Sequence, residues 1–321
     1  MQHSTWARLV GLSAATAVVA GCGPAGPLHA VPAASMPADV SRQCASSWMD
    51  GKANRHHPWL YVSDTAGNFI TIFSFGKAGE TIIGRLTSGL NGPFGMALDK
   101  SGNLYVANQN SPGNVVIYKP GQTSPSLTLT AELDTPQGVA VDERGNVYVT
   151  NRGSMPGIAV FPPGSTQPSR YITSGLIQNP IEDFFDTFGN LYFSDPDTGV
   201  SEIPKGSQQA VSLGLRRLAQ ATGVALAASG NLYVNNYIPG GSYIARVYSI
   251  GSTRPKYRLK QRVAAYYLTT GYIGLRQFVF APDWSSNRVL IFRDGSKKPF
   301  SILTTLGHNT GGVAFKPAGV P

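Results

Sequence analysis

One pattern recurs along this chain and decides what it can fold into: P-F-G-M-A-L-D-K-S-G-N-L-Y-V-A-N, from Pro93 to Asn108. Gly95-Met96-Ala97-Leu98 predicts a short apolar strand. Asp99-Lys100-Ser101-Gly102-Asn103 predicts a tight turn, because Asp can bond its own backbone and Gly takes a positive φ. Leu104-Tyr105-Val106-Ala107 is the return strand, ending on Asn108. Val115-Val116-Ile117-Tyr118 follows as a third strand and residues 126–130 as a weaker fourth, giving four short antiparallel strands punctuated by Gly and Pro.

Close copies run from Pro136 to Asn151, from Pro180 to Asp195 and from Thr222 to Asn236. Two copies are degenerate. Leu60–Asp64 is a second strand with no first strand before it, and Phe278–Pro282 lacks the Gly-Asn turn. The second strands begin at 60, 104, 147, 191, 232 and 278, so the repeat spans 41 to 46 residues. A four-strand unit of about 40–50 residues is the period of a propeller blade. The chain ends on Gly312-Val313-Ala314-Phe315-Lys316-Pro317, a match to Gly95–Lys100, and this supplies the missing first strand of the blade that opens at Leu60. The expectation is an all-β, six-bladed β-propeller of four-stranded antiparallel blades, its ring closed by the C-terminal strand.

The motif P-x-G-h-A-h-D-x-x-G-N-h-Y-h-x-N, with h apolar, resembles the NHL-repeat family of β-propellers over roughly residues 59–317. The resemblance implies the fold. It implies no activity, because propellers host lyases, lactonases and pure binding modules alike.

Residues 1–21 read as an export signal: Arg8 precedes an apolar run from Leu9 to Ala20 that is too short to span a bilayer comfortably. Val19-Ala20-Gly21-Cys22 resembles a bacterial lipoprotein box, which implies lipidation of Cys22 and firm membrane anchoring. A simple signal peptide is the alternative. Residues 22–58 are then the lipidated Cys and a Gly/Pro/Ala-rich tether, and residues 59–321 the propeller. Gly23 in place of the Asp that retains such proteins at the inner membrane points to the outer membrane of a diderm host. Cys44 is left as a free thiol, or pairs with Cys22 if cleavage falls elsewhere.

The formal charge is +9, with only 13% charged residues. The basic residues gather late, at Arg216-Arg217, from Arg254 to Arg262 with Lys256, Arg258 and Lys260 between, and at Lys297-Lys298. They read either as solvated outer strands and loops, or as a basic flank for lipid headgroups, cell-wall polymers or an acidic partner. An exported chain makes nucleic acid a poor partner. We expect a monomer.

In a propeller the start of each first strand and the end of each second strand share one face, since antiparallel neighbours reverse direction. That places Asp64, Asn108, Asn151, Asp195 and Asn236 around one mouth, with Glu182 replacing Gly at one first-strand start and Asp183 beside it. Such oxygen donors suit Ca²⁺ or Mg²⁺ rather than zinc. The arrangement is similar to the gluconolactonase/senescence-marker propellers, which implies a metal site of Glu182 with Asn108 or Asn151, and Asp195; the context of that family's proposed Asp base has no match here. The competing reading is that Asn and Asp end these strands because they cap turns. The Asp-x-x-Gly-Asn turns lack the ligand run of a calcium loop and read as hairpin turns.

Of the five histidines, only His308 could reach a blade face, and the paired His of streptogramin-lyase propellers, which look similar in repeat pattern, is missing from the blades. There is no G-x-S-x-G elbow, H-E-x-x-H or phosphate loop. Tyrosines 61, 105, 148, 192 and 233 recur at one blade position, which fits interblade packing better than a stacking surface. The sequence therefore predicts an exported, membrane-anchored binding scaffold for a protein or envelope polymer, with no catalytic residue and no obligate cofactor. Its contact surfaces are the mouth and the segment Tyr266–Gln277. A divalent-metal hydrolase or lactonase is the alternative.

Overall fold

The computed structural model describes residues 47–320 apart from 52, 55, 77, 78, 306 and 308. The expected signal, Cys22, most of the tether, Cys44 and His308 lie outside the described residues. Within them the chain forms twenty-five strands in six antiparallel sheets, with no helix.

Five sheets have four strands in sequence order. They are β5–β8 (Pro93–Leu98, Leu104–Asn108, Asn114–Tyr118, Leu127–Leu129), β9–β12 (Pro136–Val141, Val147–Asn151, Gly157–Phe161, Arg170–Ile172), β13–β16 (Asp183–Phe185, Leu191–Asp195, Gly199–Ile203, Val211–Ser212), β17–β20 (Gln220–Leu226, Asn231–Ile238, Ser242–Ser249, Pro255–Arg258) and β21–β24 (Thr269–Ile273, Arg276–Asp283, Arg288–Arg293, Ser301–Thr304). They are blades 2 to 6. Blade 1 has five strands in the order β1-β4-β3-β2-β25, built from Trp48–Met49, Trp59–Asp64, Phe69–Gly76, Gly79–Leu86 and Thr310–Lys316. The C-terminal strand is the inner strand of blade 1, in the register Leu60↔Phe315, Tyr61↔Ala314 and Val62↔Val313. The ring closes as the sequence predicts. Trp48 and Met49, assigned to the tether by composition, pair with Arg85 and Gly84 and edge the first blade.

The repeated turn forms because its Asp accepts hydrogen bonds from the loop it spans. Asp99 Oδ1 accepts from the amides of Ser101 and Asn103, both at 2.9 Å, and Oδ2 from Asn103 Nδ2 at 2.7 Å. Asp142 and Asp186 repeat the same three bonds in blades 3 and 4. Gly102 sits at φ 79°, where a side chain would be strained. These carboxylates are committed to their turns.

The core lies between blades. Each of six apolar clusters draws on two neighbouring sheets, for example Leu60, Phe73 and Val313 of blade 1 with Phe278, Phe280 and Ile291 of blade 6. The repeated tyrosines belong here. Tyr61, Tyr105, Tyr148 and Tyr233 are all buried in interblade clusters, which is the packing role their repetition suggests. Ring closure adds a buried cation–π contact, with Lys316 Nζ 3.8 Å from the Trp59 ring centroid.

At the axis the first strands approach so closely that several positions admit only glycine. A Cβ on Gly312 would overlap the Phe94 carbonyl, which is backbone and cannot swing away. Gly312→Ala should therefore cost about 1–3 kcal/mol and lower Tm by about 4–10 °C. Gly175→Ala, at an exposed site with open space around it, should move Tm by less than about 2 °C. Thermal unfolding of the two variants beside the parent checks this, and equal shifts would contradict the account of the axis.

Candidate functional site

The residues expected around the mouth are there, but each spends its side chain within its own blade. Asn151 Oδ1 accepts from the amides of Asp134 and Thr135. Asp195 Oδ2 accepts from Gln178 and Asn179, and Oδ1 from Asp197 and Thr198. Asn236 Oδ1 accepts from Ala219 and Gln220, and Asn108 Oδ1 from Asn91. Asp64 accepts from Gly67 and Asn309, and feels the Arg85 guanidinium. In every case the side chain ties the loop leading into a first strand, or a neighbouring turn, to the end of the second strand. Among the described residues no three of His, Cys, Asp or Glu stand close enough together to hold a metal ion, so Asp64, Glu182 and Asp195 do not form one ligand group.

Glu182 behaves differently. It is 4% exposed and reaches across the axis. Oε2 accepts from the Val224 amide of blade 5, and Oε1 from the Leu268 amide of the segment entering blade 6, at 2.8 Å. Burial pushes its pKa well above the ordinary carboxylate range, against the two amides and with help from Asp183. Asp183 is 6% exposed, and neither carboxylate oxygen has a hydrogen-bond partner. Burial raises its pKa as well. Tyr267, held to the Ile181 carbonyl through its hydroxyl at 3.1 Å, packs with Phe94 and Ile181 against this pair and fills the axis.

A second set of axial residues has no counterpart in the expectations. The residue before each mouth Asp or Asn is a hydroxyl in three blades, and it bridges two sheets. Ser63 accepts from Gly312 N at 2.7 Å and donates to Phe94 O at 3.1 Å. Thr150 accepts from Gly138 N and donates to Ile181 O; Ser194 accepts from Glu182 N and donates to Thr222 O. In blade 5 Asn235 Nδ2 takes over, donating to the Ala265 carbonyl. The signal was present as Ser-Asp, Thr-Asn and Ser-Asp at the strand ends.

What the mouth offers beyond these committed groups is aromatic. Tyr266 and Trp284 lie nearly parallel, 6.4 Å apart, and Tyr243 stands edge-on to both at 6.5 and 6.3 Å. Tyr237 packs on Tyr243 at 4.9 Å, and Phe94 joins the group to the axis. Tyr237, Tyr266 and Trp284 are partly exposed. Tyr266 begins the segment expected to make contacts. The segment's other exposed apolar residues, Tyr272 and Leu275, lie further along, in and just past the first strand of blade 6.

A family model described as "Lactonase, 7-bladed beta-propeller" matches residues 36–143, about a third of the chain, whereas the ring here has six blades. No curated protein matches. A solved chain from "Crystal structure of Nidogen/Laminin Complex" aligns over 81% of this chain and 99% of its own, with 17% identity and a TM-score of 0.67. At that identity the likeness is one of fold. "Kuenenia stuttgartiensis Hydrazine Synthase" aligns over 64% of this chain and 63% of its own, with 18% identity and a TM-score of 0.48.

The buried pair generates a pH dependence. Glu182 and Asp183 hold protons to higher pH folded than unfolded. Above the unfolded carboxylate range the folded state therefore binds more protons, and their contribution to stability falls as pH rises. Asp183→Asn keeps the shape and removes one titration. Tm of this variant should match the parent within about 2 °C at pH 4 and exceed it by several degrees at pH 8. A variant that loses stability equally at both pH values would show the carboxylate to be satisfied.

Proposed function

We propose that this chain is a non-catalytic binding propeller, exported and anchored through a lipidated Cys22, that receives a protein or cell-envelope ligand on the mouth face of blades 5 and 6. One observation carries the reading. Apart from Asp183, the mouth carboxylates and amide oxygens are consumed by backbone groups of the ring itself, while Tyr237, Tyr266 and Trp284 around Tyr243 remain partly open. Aromatic side chains give large contact area at little cost in side-chain entropy, and they dominate binding surfaces for that reason.

The family match over residues 36–143 favours a second reading, a hydrolase or lactonase assisted by Ca²⁺ or Mg²⁺. In that case the axial pair Glu182 and Asp183 is where the chemistry would have to sit, since Asp183 alone keeps both oxygens without partners.

The two readings separate in one set of measurements on the full-length chain. Under the binding reading, a panel of lactones and esters is not turned over with Ca²⁺, Mg²⁺, Mn²⁺ or chelator, and no metal moves Tm by more than about 1 °C. Sedimentation with isolated envelope material then weakens about tenfold, or roughly 1.4 kcal/mol, in Trp284→Ala and Tyr266→Ala. Metal-dependent turnover that disappears in Glu182→Gln replaces it with the hydrolase reading.

A further inference from the structure

The outer edge of blade 5 carries a charged cleft that runs inward as far as Tyr243 of the mouth group. From β20 onward exposure alternates residue by residue: Lys256, Arg258, Lys260 and Arg262 point outward, while Leu259 and Val263 are buried. In extended chain, alternate side chains share a face at a spacing of about 6.6–6.8 Å. The row lines a cleft of about 760 Å³, to which Lys297 of blade 6 contributes a fifth cation. A backbone bond from Lys260 N to Lys297 O at 2.8 Å fixes the two blades there.

Among the described residues no carboxylate forms an ion pair with this row. The ion pairs among the described residues are Lys205–Glu143 and Arg288–Asp283, both elsewhere. Asp294, the nearby acid, accepts from Asn231 and Tyr233. Arg258 even faces Arg246 across the strand pair, an arrangement of like charges that costs stability. Neutral partners hold several of the heads in place: Lys256 Nζ donates to Asn231 Oδ1 at 2.9 Å, Arg262 to the Gly241 carbonyl, and Lys297 lies 5.5 Å from the Tyr257 ring centroid. The cations are positioned rather than merely solvated.

The shape selects the ligand. The seven residues from Lys256 to Arg262, extended through Arg258 and bent at 260–261, span at most about 23 Å, and the cleft they line holds about 760 Å³, room for a single polymer strand. A bilayer is flat and a folded protein too broad. An added peptide strand is opposed by Pro255 at the strand start, the bend at 260–261 and the charged edge itself. Gln261, which also lines the cleft, supplies an amide for hydroxyl groups among the cations.

We propose that this cleft binds a linear acidic polysaccharide, a glycan bearing carboxylates or sulfates at regular intervals, lying along the row from Lys256 to Arg262. The site shares Tyr243 with the mouth group, but its cations take no part in any reaction there. The probe is a fluorescently labelled polygalacturonate oligosaccharide of about ten sugars, titrated by polarisation against the full-length chain at rising NaCl. The expected result is binding that weakens with salt, as counterion release requires. The variant with Lys256, Arg258, Lys260 and Arg262 all changed to Ser should lose tenfold or more in affinity and most of the salt dependence. A control with Lys119, Arg144, Arg152 and Arg276 changed to Ser carries the same loss of charge from other exposed sites and should bind like the parent. Lys260→Glu alone, a single exposed change that leaves the fold intact, should weaken binding at least threefold. Equal losses in the two quadruple variants, an unaffected Lys260→Glu, or tighter binding of anionic vesicles, polyglutamate or polyphosphate at matched charge would overturn the proposal.

Discussion

The inner strand of every blade has one edge with no strand beside it, and six such edges face one another at the axis. A backbone amide or carbonyl buried there without a partner costs more than an ordinary hydrogen bond gains. Much of the axial chemistry answers this constraint. Glu182 accepts from Val224 and from Leu268, which joins blade 4 to the two units that follow. Ser63, Thr150 and Ser194 each bridge their own inner strand to the carbonyl of the next. Gly312 is required because the Phe94 carbonyl leaves no room for a side chain.

This use of polar groups explains why the mouth looks like a metal site in sequence. Carboxylates and amides ring one face in both cases, and the residue types are the same. The difference lies in what their oxygens meet. Asp195 accepts four backbone amides, so it behaves as the cap of its loop rather than as an open donor. Glu182 is buried at a cost in desolvation that its two amides only partly offset. Asp183 carries that cost with no hydrogen bond from any other residue, which makes it the natural place for pH to act.

Blade number, strand order and ring closure were legible because each follows from a period or from a match between the two ends of the chain. The turns were legible too, since Asp99 and Gly102 act within a few residues of one another. Glu182 stood out as the exception to a glycine position, but its role did not, because its partners are 42 and 86 residues away. Trp48–Met49 was missed because a two-residue strand has no period to read. The alternation at Lys256–Arg262 was visible in sequence, yet Lys297 joins it only through the packing of blade 6 on blade 5.

The repeat is strictest in blades 2 to 4; blades 1, 5 and 6 depart from it in different ways, and the unusual surfaces lie on two of these, blades 5 and 6. Blade 5 replaces the turn Asp with Ala227 and borrows Asp294 from blade 6 to hold Asn231 and Tyr233. Blade 6 replaces the bridging hydroxyl with Pro282, and its Asp283 turns to Arg288. Once neighbouring blades take over these bonds, the local positions are no longer fixed by the needs of the ring. Both the aromatic group around Tyr243 and the cationic row from Lys256 to Arg262 lie on this pair of blades. A departure from the repeat that the fold does not require is where selection for binding has room to act. In this ring the exposed aromatic and cationic chemistry sits where blades 5 and 6 leave the repeat.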